Sequence, residues 1–368
     1  MSVVINKAVV HRLNKEQHQE IQKSSLRDEL LPLSDPTVVS LIEGVIDAYG
    51  KKGNSLQYGV FDNSGSHGEA PQTIKDYYTK RDGVKDSTFL SLTNTIMKEL
   101  HREARSTGPA TGGHILFIDY QANSSRFLLV AMVKQKPGFG MKGLDVQDLQ
   151  YIDLGKLHSA ARFSFQRWTE YLTASPEEQN DICYLTFIGS SANNESSQYF
   201  VRALGCKAGS PSAKATKGVV IHGTKFFRST EGLDSYADEF KRKVTVYLTN
   251  KEANPDDKTA RLSEVVELAR GIFAKVDIDT VDDLTENLFQ HLNSEDVGVP
   301  AEFSVNKNEL KKLTHIIYKD EALGINFDRG DLGTDSGSRI WYKNGQLTIS
   351  KLPPKLKADI ERQLGIIE

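Results

Sequence analysis

The motif with the most explicit chemistry is a glycine-rich run at residues 138–143, GFGMKG, which matches the G-x-G-x-x-G pattern of dinucleotide-binding turns. Such a turn must be followed at once by a helix whose first amides face the pyrophosphate, and by an acidic residue about 20 positions later. Residues 144–153 instead have the pattern of a loop and a strand, and residues 154–169 contain no Asp or Glu. The run is therefore interpreted as a flexible inter-strand loop, and no cofactor is predicted.

Metal ligands and nucleophiles give no stronger signal. The nine histidines are scattered and form neither HExxH nor HxH, and no G-x-S-x-G elbow or Walker-type loop occurs. Asp328, Asp331 and Asp335 lie among glycines and loosely resemble a cation-binding loop, but a solvated turn between two strands is preferred because their period does not fit an EF-hand. Cys183 and Cys206 lie outside any metal-ligand spacing, which predicts buried thiols in a reducing, cytoplasmic compartment. We predict no catalytic residue and no metal site, and we expect that the chain is not an enzyme.

Charge segregation is the most informative chemical pattern. Residues 197–250 contain nine Lys or Arg against four Asp or Glu, whereas residues 251–300 contain five against twelve. A basic segment of this kind can contact the phosphates of a nucleic acid. The candidate DNA-contacting residues are Lys214, Lys217, Lys225, Arg228, Lys241, Arg242 and Lys243. Two other interpretations stay open: the basic and acidic segments neutralise each other across a helix pair, or each is a solvated face.

The elements that must position these residues are organised around an apolar hairpin at residues 112–136. Residues 112–120 and 126–133 are runs rich in β-branched and aromatic residues, and the polar residues 121–125 between them are few enough for a hairpin loop. Neither run alternates between apolar and polar residues, which is typical of strands that are covered on both faces. The hairpin is therefore predicted to lie in the middle of a sheet.

Around this hairpin the chain is predicted to be an α+β protein with three parts. Residues 1–190 are expected to form an N-terminal domain with a mixed or antiparallel sheet and helices, built on the hairpin. Residues 191–300 are expected to be mainly helical, with a basic and then an acidic half. Residues 301–368 are expected to form a small β-rich C-terminal region.

Individual elements follow from capping and periodicity. Asp35 and Pro36 predict the start of a helix, and residues 24–33 a short helix or turn. Further strands are predicted at residues 149–154, 162–168 and 182–188. The predicted core positions of the helical part are Val219, Phe226, Leu233, Phe240, Val244, Leu248, Leu262, Val266, Leu284 and Leu288.

Composition limits the classes of function. The 368 residues are 38% apolar and 26% charged, which fits a soluble globular protein. The net charge of −3 argues against a globally basic nucleic-acid binder, so any DNA contact has to come from a local patch. The apolar runs are too short to span a bilayer and the N-terminus lacks the pattern of a secretory signal, so no membrane interaction is predicted.

Several short stretches, taken in order, resemble a known family. They are residues 26–31 (LRDELL), 58–61 (YGVF), 112–117 (GGHILF), 127–131 (FLLVA), 151–154 (YIDL), 184–187 (YLTF) and 325–328 (INFD). Their order and spacing are similar to those of the bacterial nucleoid-associated protein NdpA (YejK-like) family, over about residues 1–365. The resemblance implies a cytoplasmic bacterial protein that is found with the chromosome and is taken to bind DNA. It offers no catalytic motif.

One departure from the family shifts the candidate site. Family members carry a basic stretch directly after the YLTF segment, whereas residues 188–198 contain no Lys or Arg. The expected DNA contact therefore moves downstream to the seven candidate residues.

The resulting expectation is a sequence-tolerant DNA-binding protein of the nucleoid. Its expected partner is double-stranded DNA bound without sequence specificity, and DNA-processing proteins and a homo-oligomer are further partners. The first alternative is a protein-interaction adaptor associated with chromosomal DNA enzymes, with residues 277–296 as its acidic docking face. The second is a metal-dependent nuclease or a defence factor.

Overall fold

The computed structural model describes residues 3–49, 56–62, 68–80, 85–122, 125–155, 157, 159–188, 195–208, 212–276, 280–321, 323–350 and 352–366. The first part of the chain forms a seven-stranded antiparallel sheet with helices on its faces. Its elements are β1 (Val3–Leu13), α1 (Pro36–Ala48), β2 (Gln57–Phe61), α2 (Ala70–Thr79), α3 (Asp86–Ser106), β3 (Gly113–Ala122), β4 (Ser125–Val133), β5 (Gln135–Lys142), β6 (Asp145–Ile152), β7 (Ser159–Ser164), α4 (Phe165–Thr173), α5 (Pro176–Gln179), β8 (Leu185–Ile188), α6 (Glu195–Ala203) and β9 (Cys206–Ala208). The strand order is β1-β3-β4-β7-β8-β2-β9.

The predicted central hairpin is confirmed. Strands β3 and β4 pair from His114 opposite Val133 to Ala122 opposite Ser125, and both are flanked by further strands. One apolar cluster covers one face of the sheet, with Phe117 among its residues, and a second covers the other face, with Leu116. Neighbouring side chains of a strand point to opposite faces, so a strand covered on both sides has to be apolar throughout.

The predicted helix start at Asp35 is also confirmed. The Asp35 carboxylate accepts a hydrogen bond from the amide of Thr37 at 2.8 Å, and Pro36 occupies the first position of α1. The aspartate thereby satisfies one of the amides that a helix leaves free at its start.

Three local predictions in this part need correction. The strand predicted at residues 162–168 ends at Ser164, whose hydroxyl accepts from the amide of Arg167 and caps α4. Residues 24–33 do not form a helix; this stretch runs beside β1, where Ser25 pairs with Arg12.

The third correction concerns the glycine-rich run. Residues 138–142 are not a loop but part of β5, and only Gly143, with φ +63°, lies in the turn to β6. No helix follows the run, because the chain continues directly into the antiparallel strand β6. The arrangement therefore lacks the helix N-terminus that holds a pyrophosphate.

The second part of the chain is helical. Its elements are α7 (Ser212–Ser229), a 3-10 turn (Asp234–Tyr236), α8 (Ala237–Ala253), β10 (Thr259–Arg261), α9 (Leu262–Phe273), α10 (Val281–Asn293), β11 (Glu302–Ser304) and α11 (Lys307–Thr314). All ten predicted core positions lie in its apolar cluster, eight of them buried and Phe226 and Leu284 packed against it partly buried.

The packing assigns the connecting elements to the two clusters. Tyr199 and Phe200 of α6 are buried with the sheet, and β9 is its last strand. Phe303 of β11 and Leu310 of α11 are buried with the helices. The sheet part therefore extends to residue 208, and the helical part runs from residue 212 to residue 314.

The remaining elements form the predicted small β-rich end. They are β12 (His315–Lys319), β13 (Gly324–Asp328), a 3-10 turn (Arg329–Asp331), β14 (Leu332–Gly333), β15 (Ile340–Lys343), β16 (Gln346–Ile349) and α12 (Pro354–Gln363). Strands β12 and β13 form one antiparallel pair, and β14, β15 and β16 form a separate three-stranded sheet.

Candidate nucleic-acid interface

Helix α7 is built with one apolar and one basic face. Ala215, Val219 and Phe227 recur at a spacing of four and eight residues and are buried in the helical cluster. Gly223 lies on the same face, where a Cβ atom would come within 2.4 Å of the Phe240 ring of α8. The close approach of α7 to α8 fixes which side of α7 faces solvent.

The opposite face of α7 carries four of the seven predicted residues. Lys214, Lys217, Lys225 and Arg228 are separated by three, eight and three positions. At 3.6 residues per turn, these side chains fall within an arc of about 80° and along about 21 Å of helix. We call these four residues the α7 stripe.

The α7 stripe differs along its length in exposure and pairing. Lys217 and Lys225 are exposed, and no carboxylate among the described residues forms an ion pair with either. Arg228 is exposed and lies 3.6 Å from Asp238. Lys214 is half-buried, and burial together with the charge of Arg167 lowers its pKa. The centre of the stripe therefore offers two free ammonium groups.

Two histidines adjoin the α7 stripe. The rings of His222 and of His291 of α10 are 6.3 Å apart. Burial and the charge of Lys225 lower the pKa of His222. Burial, followed by the charges of His222 and Lys225, lowers the pKa of His291. Both rings are therefore neutral at pH 7 and gain charge only in acid.

The three predicted residues of α8 are not brought together. Lys241, Arg242 and Lys243 are consecutive, so their side chains leave the helix about 100° apart. Arg242 is exposed and Lys241 is half-buried. Lys243 lies 3.3 Å from Glu239, which also binds Lys275 at 2.7 Å.

Comparison with known proteins identifies the family of this chain. A model of the family described as nucleoid-associated protein YejK matches residues 9–357. The chain belongs to this family. It is 25% identical over 362 residues to a nucleoid-associated protein of Pseudomonas entomophila (strain L48), covering 98% of this chain and 99% of that one. It is 24% identical over 369 residues to one of Pseudomonas aeruginosa (strain UCBPP-PA14), covering 98% of each. The chain is thus a nucleoid-associated protein.

The acidic half of this YejK-family chain is partly engaged within the fold. Asp282, in the first turn of α10, lies 2.7 Å from Arg270 of α9. Glu295 is bound to Arg162 of the sheet. Asp283 and Asp296 are exposed, whereas residues 277–279 of the predicted docking face lie outside the described residues. Most of residues 188–198, where the resemblance implied a basic stretch that this sequence lacks, also lie outside them.

Arg162 and Glu295 are partly buried and belong to a polar network between the sheet and the end of α10. The Arg162 guanidinium lies 4.8 Å from the Tyr49 ring centroid and 4.7 Å from that of Phe127, and donates to the Tyr120 hydroxyl at 2.9 Å. It borders a cleft of about 900 Å³ between the sheet and the end of α10. Because the paired Arg162 and Glu295 belong to the sheet part and the helical part respectively, the network holds these two parts together.

Neighbouring residues strengthen the same junction. Arg167 donates to the backbone oxygen of Glu295 at 2.7 Å. The amide of Leu56 donates to the Asn293 side chain at 2.7 Å, and that side chain donates back to the Leu56 oxygen at 3.1 Å. The orientation of α10, and with it the place of His291 beside the α7 stripe, is therefore fixed by the sheet.

The remaining candidate sites have structural roles. Asp328 and Asp335 accept hydrogen bonds from the amides of Gly330 and Gly337, at 2.7 and 2.8 Å, and Asp331 pairs with Arg339. These carboxylates therefore stabilise turns.

In the described part of the chain, no three His, Cys, Asp or Glu side chains are grouped so that they could hold a metal ion. No described helix is long and apolar enough to cross a membrane. Cys183 and Cys206 are free and buried, as predicted.

The sequence analysis did not separate the Lys and Arg residues of α7 from those of α8. The spacing of the four α7 residues fits one helical face and was readable from the sequence, whereas grouping by composition joined them to the three α8 residues. The two histidines gave no such signal, because 69 residues separate His222 from His291 and only helix packing brings them together.

Proposed function

We propose that the chain is a sequence-tolerant DNA-binding protein of the bacterial nucleoid that contacts phosphates through the α7 stripe. It acts in the cytoplasm on double-stranded DNA, without catalysis. Membership of a nucleoid-associated family supports the association with DNA. The observation that carries the proposal is the alignment of four cationic side chains on one solvent-facing side of a helix, with Lys217 and Lys225 unpaired among the described residues.

The α7 stripe fits the phosphate backbone better than the base edges. Lysine ammonium groups are point charges without the planar fork that reads guanine, and contacts to phosphate position a protein without specifying sequence. About four phosphate contacts would give a salt slope near −4 and a loss of about 100-fold in affinity between 50 and 200 mM salt. Such binding suits a protein that occupies many sites along a chromosome.

The test is fluorescence anisotropy with two duplexes of unrelated sequence at several KCl concentrations. The variant Lys217→Gln/Lys225→Gln removes the two unpaired charges, and its salt slope should fall by about two units on both duplexes. A matched control is Lys98→Gln/Arg105→Gln on α3, which removes two exposed charges elsewhere. An equal loss in both variants, or no loss in the first, would contradict the proposal.

A second candidate function is an adaptor that docks DNA-processing proteins. The exposed carboxylates of Asp283 and Asp296 favour it, because the rest of the described acidic segment is partly engaged within the fold. Its test is affinity capture from a nuclease-treated lysate with the wild type and with Asp283→Asn/Asp296→Asn. Partners that survive nuclease treatment and are lost with the double variant would support the adaptor, and capture that ends with nuclease treatment would support DNA contact.

A further inference from the structure

A cleft lies at the edge of the sheet where β1 ends and β3 begins. It has a volume of about 430 Å³ and is bordered by these strand ends, by the loop at residues 14–22 and by the base of the β5–β6 hairpin. Small-molecule sites usually have volumes of about 300–1,000 Å³. All the residues that line the cleft belong to the sheet part, so it is separate from the α7 stripe. We call it the β1 cleft.

Backbone contacts fix the walls of the β1 cleft. Gly112 lies so close to the end of β1 that a Cβ atom would overlap the Leu13 oxygen, and its amide donates to the Lys15 oxygen at 2.7 Å. The loop that follows β1 is closed by the amide of Gln22, which donates to the Asn14 oxygen at 2.9 Å. Glycine at position 112 is therefore needed for the loop and β3 to meet.

Three cationic side chains line the β1 cleft, and they come from three separate segments. Arg12 belongs to β1, Lys15 to the loop, and Lys134 to the residue that follows β4. In the part of the chain that the structure describes, none of the three forms an ion pair with a carboxylate. Their positive charge is therefore not neutralised within the described fold.

Lys15 gives the strongest indication of a ligand, because it is only 8% exposed. Its ammonium donates to the backbone oxygens of Glu16 and Gln19 at 2.9 and 2.6 Å, which uses two of its three N–H groups. Burying a charge without an opposite charge is costly, and carbonyl oxygens compensate for only part of it. An anion in the β1 cleft would accept the third N–H and balance the charge.

Two other lining groups have pKa values that agree with an excess of positive charge. Burial lowers the pKa of Lys134, whose ammonium donates to the Thr111 hydroxyl at 2.7 Å. Burial and the charge of Arg12 lower the pKa of His114, which lies opposite Arg12 in the register of β1 and β3. An anion bound beside these groups would favour their charged forms.

We propose that the β1 cleft binds the phosphate group of a small molecule, either inorganic phosphate or a phosphate ester. A phosphate monoester carries about −1.5 to −2 charge at pH 7 and has three acceptor oxygens, which matches three cations from three segments. The Arg12 guanidinium can bind two of these oxygens at once, and Lys15 and Lys134 add point charges. The side-chain amides of Gln135 and Gln150, which also line the cleft, are available to the rest of an ester.

Two carboxylates disfavour a DNA duplex in the β1 cleft. Glu16 and Glu20 also line it, are exposed, and pair with none of the three cations. They would repel the neighbouring phosphates of a continuous backbone, and a rigid duplex does not reach the buried Lys15. A single phosphate group inside the cleft avoids both difficulties. The proposal does not depend on DNA binding by the α7 stripe.

The first experiment is isothermal titration calorimetry of the full-length chain with inorganic phosphate, AMP and adenosine, at constant ionic strength in KCl. Phosphate or AMP should bind with one site per chain, and adenosine should not bind. Tighter binding of AMP than of phosphate supports an ester as the ligand, whereas equal affinities support inorganic phosphate. Absence of binding by both, or binding of adenosine as tight as that of AMP, would overturn the proposal.

The variant Arg12→Gln/Lys134→Gln tests the site itself. It should weaken binding of the phosphate probe by about 100-fold, or about tenfold for each charge-assisted hydrogen bond that is lost. Arg12→Gln alone changes an exposed residue, keeps the fold, and should cost about tenfold. The matched control Lys98→Gln/Arg105→Gln removes two exposed charges from α3 and should bind phosphate like the wild type. Equal affinities in the control and the double variant would contradict the site.

Hydrogen exchange locates the bound phosphate. Slower exchange at residues 12–22 and 112–114 in the presence of phosphate supports the β1 cleft, whereas slower exchange confined to α7 contradicts it.

Duplex titrations separate this proposal from DNA binding. Arg12→Gln/Lys134→Gln should keep the salt slope of the wild type, and Lys217→Gln/Lys225→Gln should keep the affinity for phosphate. A slope that falls by about two units in the cleft variant would assign the cleft to the DNA backbone and overturn the proposal.

Discussion

Positively charged side chains have opposite environments in two regions of the molecule. At the junction of the sheet and α10, Arg162 is largely buried, lies between two aromatic rings and is bound to Glu295. On α7, Lys217 and Lys225 are exposed and have no ion-pair partner among the described residues. The Arg162 guanidinium is paired within the chain, whereas the ammonium groups of Lys217 and Lys225 remain available to a ligand.

The difference predicts which charges matter for stability and which for the proposed DNA binding. A buried charge that loses its partner is strongly destabilising, whereas exposed pairs contribute little to folding. Substitutions at the Arg162 junction should therefore change stability and leave the salt dependence of DNA binding unchanged. Substitutions in the α7 stripe should do the reverse.

The largest effect is expected from Arg162→Met. It leaves the Glu295 carboxylate in a largely buried place without its cation, and should lower the free energy of unfolding by about 3–5 kcal/mol. Urea unfolding followed by tryptophan fluorescence measures the loss, since Trp168 lies in the sheet core. The double variant Arg162→Met/Glu295→Leu removes both charges and should recover most of it. If the double variant is as unstable as the single one, the ion pair does not explain the effect.

A buried histidine, His11, makes the stability of the sheet part depend on pH. The Nδ1 atom of His11 accepts from the amide of Arg27 at 3.0 Å, so Nε2 carries the proton and donates to Thr93 at 2.9 Å. Burial lowers the pKa of His11 from 6.5 to about 4. Below pH 6.5 the unfolded chain binds a proton at His11 that the folded chain does not bind. The free energy of unfolding therefore decreases as the pH is lowered.

The expected loss between pH 6.5 and pH 4 is about 3 kcal/mol, at 1.36 kcal/mol per pKa unit. It is measured as the difference in urea unfolding between the wild type and His11→Gln at each pH. The stability difference between the two proteins should shrink as the pH falls. A constant difference from pH 7 to pH 4 would show that His11 titrates normally in the folded state.

The sequence predicted elements whose cause is local. The central hairpin was readable because strands covered on both faces are apolar throughout, and α1 because Asp35 and Pro36 cap it. The strand predicted at residues 162–168 is correct up to Ser164 and wrong beyond it. Phe165 and Trp168 are aromatic residues typical of strands, but Ser164 caps a helix that buries both. A single capping hydroxyl outweighed the propensity of the residues that follow it.

The candidate site was predictable only in part. The α7 spacing is local and lay in the sequence, and so did the i,i+4 spacing of Glu239 and Lys243 within α8. By contrast, the binding of Lys275 to the same Glu239 depends on how the segment after α9 packs beside α8. The Arg162–Glu295 pair joins residues 133 positions apart, and no pattern along the chain marks it. Charge counts along a sequence do not separate cations that are already paired from those that are free.

Comparison of α7 with α8 gives the next prediction. Lys241→Gln/Arg242→Gln/Lys243→Gln removes three charges, one more than Lys217→Gln/Lys225→Gln, yet should lower the salt slope by about one unit at most. The three side chains point in different directions and Lys243 is already bound to Glu239. Anisotropy titrations of both variants on the same duplex measure the slopes. A larger loss from the α8 variant would move the interface from the α7 stripe to α8.

The smallest expected effect comes from the histidines beside the α7 stripe. Because burial and nearby lysine charge lower the pKa values of His222 and His291, both rings gain a proton only below pH 6.5. Each proton adds a positive charge next to Lys225, so duplex affinity should rise as the pH falls from 7.5 to 5.5, by about tenfold or less for one or two added contacts. Bound phosphate neutralises Lys225, which raises both pKa values and moves the transition toward neutral pH in the complex. His222→Gln/His291→Gln should bind like the wild type at pH 7.5 and lose the increase at pH 5.5; an unchanged pH profile would place the DNA away from this end of α10.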